Sequence, residues 1–115
     1  MTTPHASQHK SVTDDIDLLL DILPPDIREW IERHNEIETL LEIICDLGRA
    51  PEARYPGKSQ VMPSRLATPE DLEYVTRRVG AFGKDNRAGI ERTLHRISAI
   101  RNRRGAIVGL TCRVG

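Results

Sequence analysis

Aromatic side chains are almost absent from this chain. Trp30, Tyr55, Tyr74 and Phe82 are the four rings in 115 residues, so a row of exposed rings on which single-stranded bases stack is poorly supplied, and the core must be mainly Leu, Ile and Val. Cysteine is equally scarce. Cys45 and Cys112 stand far apart, fit no metal-ligand spacing and are too few for a disulfide framework, which points to a reducing compartment. No apolar run approaches the roughly 18–20 residues of a membrane span. The opening MTTPHASQHK lacks the apolar centre of a signal peptide, so the expected setting is cytosolic, with residues 1–12 a disordered tail. With 38% hydrophobic and 30% charged side chains, 115 residues can bury one modest core and not two.

Recognisable catalytic motifs are missing as well. A phosphate-binding loop needs Gly-x-x-x-x-Gly-Lys-Ser/Thr, because backbone N–H groups cradle the phosphates, the Lys neutralises them and the hydroxyl binds magnesium. The nearest stretch is GAFGKD, residues 80–85, where Asp85 puts a negative charge where phosphate should go. His5 and His9 are four apart, as metal ligands on a helix can be, but lie in a polar tail without supporting carboxylates. His95 has no nucleophile nearby and reads as structural or surface-exposed. Ser98 and Cys112 are the remaining nucleophile candidates, and strand alternation puts Cys112 on an apolar face, where a thiol behaves as a small hydrophobe. Asp14, Asp15 and Asp17 suit a helix N-terminus. No catalytic residue, metal ligand or resident cofactor is expected in this chain.

What the chain does have is arginine, unevenly placed. Lys+Arg and Asp+Glu are equal at 17 each, yet residues 1–76 hold 7 basic against 15 acidic side chains, and residues 77–115 hold 10 against 2. An acidic front of net −8 is joined to a basic back of net +8. Lys84 is the one lysine of that basic segment. Guanidinium groups fork onto phosphate or carboxylate oxygens in fixed geometry and ammonium groups do not, which suits anion recognition. A solvated face, or one paired with the acidic helices of the same domain, is the competing reading.

Hydrophobic spacing predicts the elements. TDDIDLLLDIL reads as a helix behind a Thr13 cap, with Ile16, Leu19, Leu20 and Leu23 on one face and Pro24–Pro25 ending it. Pro25 suits the first turn of a second helix, whose Ile27, Trp30 and Ile31 share a face and which closes at His34 and Asn35. From Glu36 to Tyr55 two periods compete. Ile37, Leu40, Leu41 and Ile44 fit a helix; Leu41, Ile43, Cys45 and Leu47 alternate as a strand, with GRAP as a turn and EARY returning. Helix then hairpin is the favoured reading. PGKSQVMPSRLA follows as a loop. TPEDLEYVTRRVG is the clearest helix, with Thr68 as cap, Pro69 at its first position, Leu72, Val75 and Val79 inward and Gly80 as terminator. AFGKDNRAGIER reads as a loop with one helical turn. TLHRISAIR and AIVGLTCRV flank NRRG and pair as a hairpin, with Val108, Leu110, Cys112 and Val114 on one face and Ile107, Thr111 and Arg113 on the other. The expected class is α+β: N-terminal helices, then an antiparallel sheet with a C-terminal basic β-hairpin, in one domain over 13–115.

LPPDIREWIERH, DLGRAPEARYPG, TPEDLEYVTRRVG and above all NRAGIERTLHRISAIRNRRGAIVGLTCRVG resemble the N-terminal region of the AAA-type P-loop ATPases of cyanobacteria and plastids. That family is related to stage III sporulation protein AA and, more distantly, to type II/IV secretion ATPases. The resemblance runs from Asp14 to Gly115, and the last thirty residues are its most specific part. It implies a chain that continues past Gly115 into a RecA-like core with Walker motifs, ATP and Mg, and in many members an Arg-x-x-x-His domain that binds single-stranded nucleic acid. Neither is in this sequence, so a truncated ATPase is expected, with the P-loop core absent and no activity alone. The implied partners are its own ATPase core, neighbouring subunits of a homo-oligomeric ring, and single-stranded nucleic acid through the missing C-terminal domain. The implied compartment is the bacterial cytoplasm or the plastid stroma. Arg87, Arg92, Arg96, Arg101 and Arg113 are the candidates in the matching segment for phosphate or interdomain contact. Two other functions remain open: a nucleic-acid-binding module using the basic hairpin, and a scaffold or interaction domain.

Overall fold

The computed structural model describes residues 15–34 and 36–115. The Thr13 cap, the His5–His9 pair and the tail expected over 1–12 lie outside the described residues. Prolines divide the first two helices. In α1, residues 15–20, the last turn tightens as Pro24 approaches, with Ile22 N–H donating to the Leu19 carbonyl (3.3 Å) and Leu23 N–H to that of Leu20 (3.1 Å). Pro25 then occupies the first turn of α2 (Pro25–Glu32), where its missing N–H leaves no bond unmade. Leu19, Leu20, Leu23, Ile27 and Ile31 are fully buried, each contributing about 1.5–3 kcal/mol by leaving water.

Of the helix then hairpin expected between Glu36 and Tyr55, the helix does not form and the hairpin does. One 3-10 turn, Ile37–Thr39, is followed by strand β1 (Glu42–Asp46), then β2 (Glu52–Tyr55). β1 lies between β2 and the C-terminal strand of the chain, Ile107–Arg113, and satisfies two ladders at once, with Ile43 and Cys45 buried on the helix side. That tertiary demand outweighs a helical period carried by four residues. Two of the expected loops also contain strands: β3 (Lys58–Val61) and β4 (Arg87–Gly89), the latter where one helical turn was expected. Both are edges of the sheet with mostly exposed side chains, so no apolar alternation marks them.

Helix α3 (Pro69–Val79) forms as its caps require. Thr68 Oγ1 accepts from the Asp71 N–H (3.2 Å) and Asp71 Oδ2 from the Thr68 N–H (2.8 Å), and Gly80 ends it at φ 93°. Arg65 forks onto Asp71 (2.6 and 2.9 Å) and reaches Asp26 (2.8 and 3.1 Å), tying α2 to α3. Its hydrogen bonds hold both carboxyls below the usual carboxylate range.

β5 (Arg96–Arg101) and β6 (Ile107–Arg113) make the expected hairpin around NRRG, where Asn102 Oδ1 accepts from the Arg104 and Ala106 N–H groups (2.9 and 3.0 Å). Ile100 faces Gly109 but Arg101 faces Ile107, so Val108 is an extra residue, a β-bulge. The bulge lets Ile97 and Ala99 of β5 and Leu110 and Cys112 of β6 all enter the core. The six antiparallel strands run β3-β2-β1-β6-β5-β4. The three helices share one core with one face of this sheet, the α+β arrangement expected; no described helix is long and apolar enough to cross a membrane.

Candidate anion-binding face

Alternation sends every second side chain of the strands to the face away from the helical core. In the central ladder Arg96 of β5 stands directly opposite Arg113 of β6, and Arg113 opposite Glu42 of β1. One step along, Arg87 of β4 faces Ser98, Ser98 faces Thr111, and Thr111 faces Ile44. Glu42, Arg87, Arg96, Ser98, Ile100, Thr111 and Arg113 line a shallow depression of about 620 Å³. A cross-strand pair sits about 5 Å apart at Cα, so two like charges there repel.

One carboxylate, Glu42, stands opposite Arg113 and lines the same depression. Glu42 is already engaged by Arg54 (3.2 Å), which also reaches Glu52 (3.3 Å). Among the described residues Arg87, Arg96 and Arg113 form no ion pair; of the basic side chains in 77–115, Arg77 alone does, with Glu73 at 3.0 Å. Three guanidinium groups and two hydroxyls, Ser98 and Thr111, are thus gathered on an open surface with donors to spare. The chemistry such a set offers is multidentate binding of a tetrahedral oxyanion.

Two candidate arginines are elsewhere. Arg101 staples the hairpin: its Nε donates to Asn86 Oδ1 (2.7 Å) and its guanidinium to the Gly105 carbonyl (2.7 Å). Arg92, held at φ 66°, borders a separate depression of about 220 Å³ beside Arg78, Val79 and Glu91. The fold brings Arg87, Arg96 and Arg113 together and leaves Arg92 and Arg101 out. Thr111 was expected on the Arg113 face and is found there; Ser98, weighed only as a nucleophile, was not expected to join the arginines, and its alternation with Arg96 is the signal that points to it.

His95, the last residue before β5, is buried. Its Nε2 lies 2.8 Å from the Asp15 carbonyl and its Nδ1 accepts the Gly115 N–H at 3.0 Å. The described residues contain no group of three or more His, Cys, Asp or Glu arranged to hold a metal ion. Cys45 and Cys112 are buried free thiols; burial pushes the Cys45 thiol up to about 12 and that of Cys112 up as well.

No protein-family model matches the chain. It is 52% identical over 104 residues to the uncharacterized protein ycf45 of Porphyra purpurea, covering 90% of this chain and 18% of that protein. It is 50% identical over 103 residues to the protein SEEDLING PLASTID DEVELOPMENT 1 of Arabidopsis thaliana, again over 90% of the chain and 15% of the relative. The ycf45 protein of Cyanidium caldarium matches at 38% over 104 residues, 31% of its length. The chain therefore spans less than a third of each of these relatives. Among solved structures, the Legionella pneumophila ATPase DotB aligns with a TM-score of 0.48 and 13% identity, over 78% of this chain and 28% of that one.

Proposed function

We propose that this chain is the phosphate-recognising domain of a larger P-loop ATPase, and that Arg87, Arg96 and Arg113 meet the phosphates of ATP held with Mg by a core outside this sequence. The facing Arg96–Arg113 pair carries the reading. A like-charge pair on an open strand face costs stability in the free domain, and an oxyanion placed between the two groups turns that cost into charge-assisted hydrogen bonds. The sequence resemblance to nucleotide-driven ATPases names the anion, and the length of the relatives leaves room for the core. Without a P-loop the chain binds phosphate but does not hydrolyse it. The core, neighbouring copies in a ring, and a plastid stroma or bacterial cytoplasm complete the setting.

Pyrophosphate titrated into the chain, followed by calorimetry and thermal shift, tests this. Arg96→Ala and Arg113→Ala should each weaken binding about tenfold or more, because a hydrogen bond to a charged group contributes about 1.5–3 kcal/mol. Without ligand, Arg96→Ala should be a few tenths of a kcal/mol more stable than wild type, since a repulsive cross-strand pair is relieved, whereas Arg113→Ala also gives up its place opposite Glu42 and should gain less. Wild-type protein that ignores millimolar pyrophosphate sinks the proposal.

A second reading is favoured by the hairpin tip, where Arg103 and Arg104 are exposed and form no ion pair among the described residues. Contact with a nucleic-acid backbone through this tip would give oligonucleotide binding whose salt slope falls by about 0.7–0.9 per arginine removed. Loss of oligonucleotide binding in Arg103→Ala/Arg104→Ala, with Arg96→Ala unaffected, separates the two.

A further inference from the structure

The ends of β5 and β6 nearest the arginine pair are the places where a sheet normally frays, yet here the backbone is pinned on both sides. Val114 N–H donates to the Leu41 carbonyl (2.9 Å), and Gly115 N–H donates to His95 Nδ1 (3.0 Å). A Cβ built on Gly115 would stand 2.1 Å from the Leu94 carbonyl oxygen, closer than atoms can approach, so the two chain segments touch without room for a side chain. The other nitrogen of the same ring, Nε2, reaches back to the Asp15 carbonyl at the start of α1 (2.8 Å). Because a carbonyl can only accept, Nε2 carries the proton and Nδ1 is the acceptor, which is the one neutral tautomer that satisfies both contacts. His95 is 4% exposed, so neither contact is exchanged for water at little cost.

His95 immediately precedes Arg96, and the amide it accepts lies two residues beyond Arg113. We propose that His95 is a positioning residue of the anion-binding face: it clamps the ends of β5 and β6 to α1 and so holds the facing Arg96 and Arg113 guanidinium groups at the spacing an oxyanion needs. This inference rests on the phosphate reading above. The ring touches no ligand. It sets where two backbones lie, and those backbones set where two charges lie.

The prediction separates positioning from mere stability. His95→Leu fills much of the same volume but removes donor and acceptor; His95→Gln keeps an amide N–H and a carbonyl oxygen near the positions of the two ring nitrogens. Pyrophosphate affinity, measured by calorimetry below each variant's unfolding range, should fall about tenfold in His95→Leu, a size in line with the loss that small misplacements of binding groups cause, and His95→Gln should recover most of it. Hydrogen exchange at the Gly115 and Val114 amides should speed up in His95→Leu and not in His95→Gln. If His95→Leu lowers the melting temperature but binds pyrophosphate as wild type does, the positioning role is overturned and the phosphate reading stands. If wild type fails to bind and Arg96→Ala changes nothing, the phosphate reading falls and this inference with it.

Discussion

Replacing Arg65 with methionine should remove the fork that ties Asp26 to Asp71 while keeping most of the buried aliphatic stem. Arg65 reaches two carboxylates of unequal exposure: the Asp71 side chain is 12% exposed and that of Asp26 is 52% exposed. Breaking a buried pair costs about 3–5 kcal/mol and an exposed one about 0–1. The remaining Thr68 N–H still serves Asp71, so we expect a total near 2–3 kcal/mol, or roughly 8–12 °C in Tm for a chain of this length. The same contacts make the loss depend on pH. Both carboxyls titrate below their ordinary 3.8 in the folded chain, chiefly through the Arg65 hydrogen bonds. The folded state therefore binds fewer protons than the unfolded state as acid is added. Its advantage is whole above about pH 5 and is lost as pH falls through 3.8 and below. Urea unfolding of wild type and Arg65→Met should show a gap that is widest at pH 7 and narrows toward pH 3. Equal stability of the two at pH 7, or a gap that does not change with pH, would refute the assignment.

The capping box gives a smaller, local test: Thr68→Ala should cost about 1 kcal/mol, read as a lower Tm with helix α3 fraying first in hydrogen exchange. Cys45 and Cys112 should resist iodoacetamide at pH 8 in the native chain and both react in denaturant, because burial raises the two thiols far above that pH; mass spectrometry counts the adducts, and native labelling at either site would contradict the packing.

Local chemistry made part of this fold legible in advance. Thr68, Pro69 and Gly80 bound α3 by rules acting within one turn, and NRRG between two alternating runs identifies the β5–β6 hairpin. The β1–β2 hairpin was legible in the alternation of Leu41, Ile43, Cys45 and Leu47 before GRAP, but the helix expected ahead of it was not real: Ile37, Leu40, Leu41 and Ile44 imitate a helical face, and β1 is held as a strand by β2 on one side and β6 on the other. β3 and β4 carry Lys58, Ser59, Arg87 and Gly89 on exposed edges, where no burial demand shapes the sequence. The arginines were visible as a list and not as a site. Arg87, Arg96 and Arg113 meet because β4, β5 and β6 are neighbours in the sheet, while Arg101, equally basic, is consumed by Asn86 and the Gly105 carbonyl. His95 was legible as a structural residue, but its two partners, at positions 15 and 115, are too distant in sequence for any local pattern to join them.

The bulge at Val108 makes the hairpin a kind of reading frame. Of the two strands, β6 alone carries the extra residue, and it is that offset which puts Arg113 across from Arg96 and Thr111 across from Ser98. A single insertion or deletion anywhere between Arg101 and Gly109 would shift one strand by one place and turn its arginine toward the helices while bringing Leu110 and Cys112 out to solvent. Length in that short turn is therefore under the same constraint as the charged residues themselves. Divergent copies of this domain can vary the identity of Arg103 and Arg104 without disturbing the Arg96–Arg113 register, but can change the count only by altering the bulge in the same step.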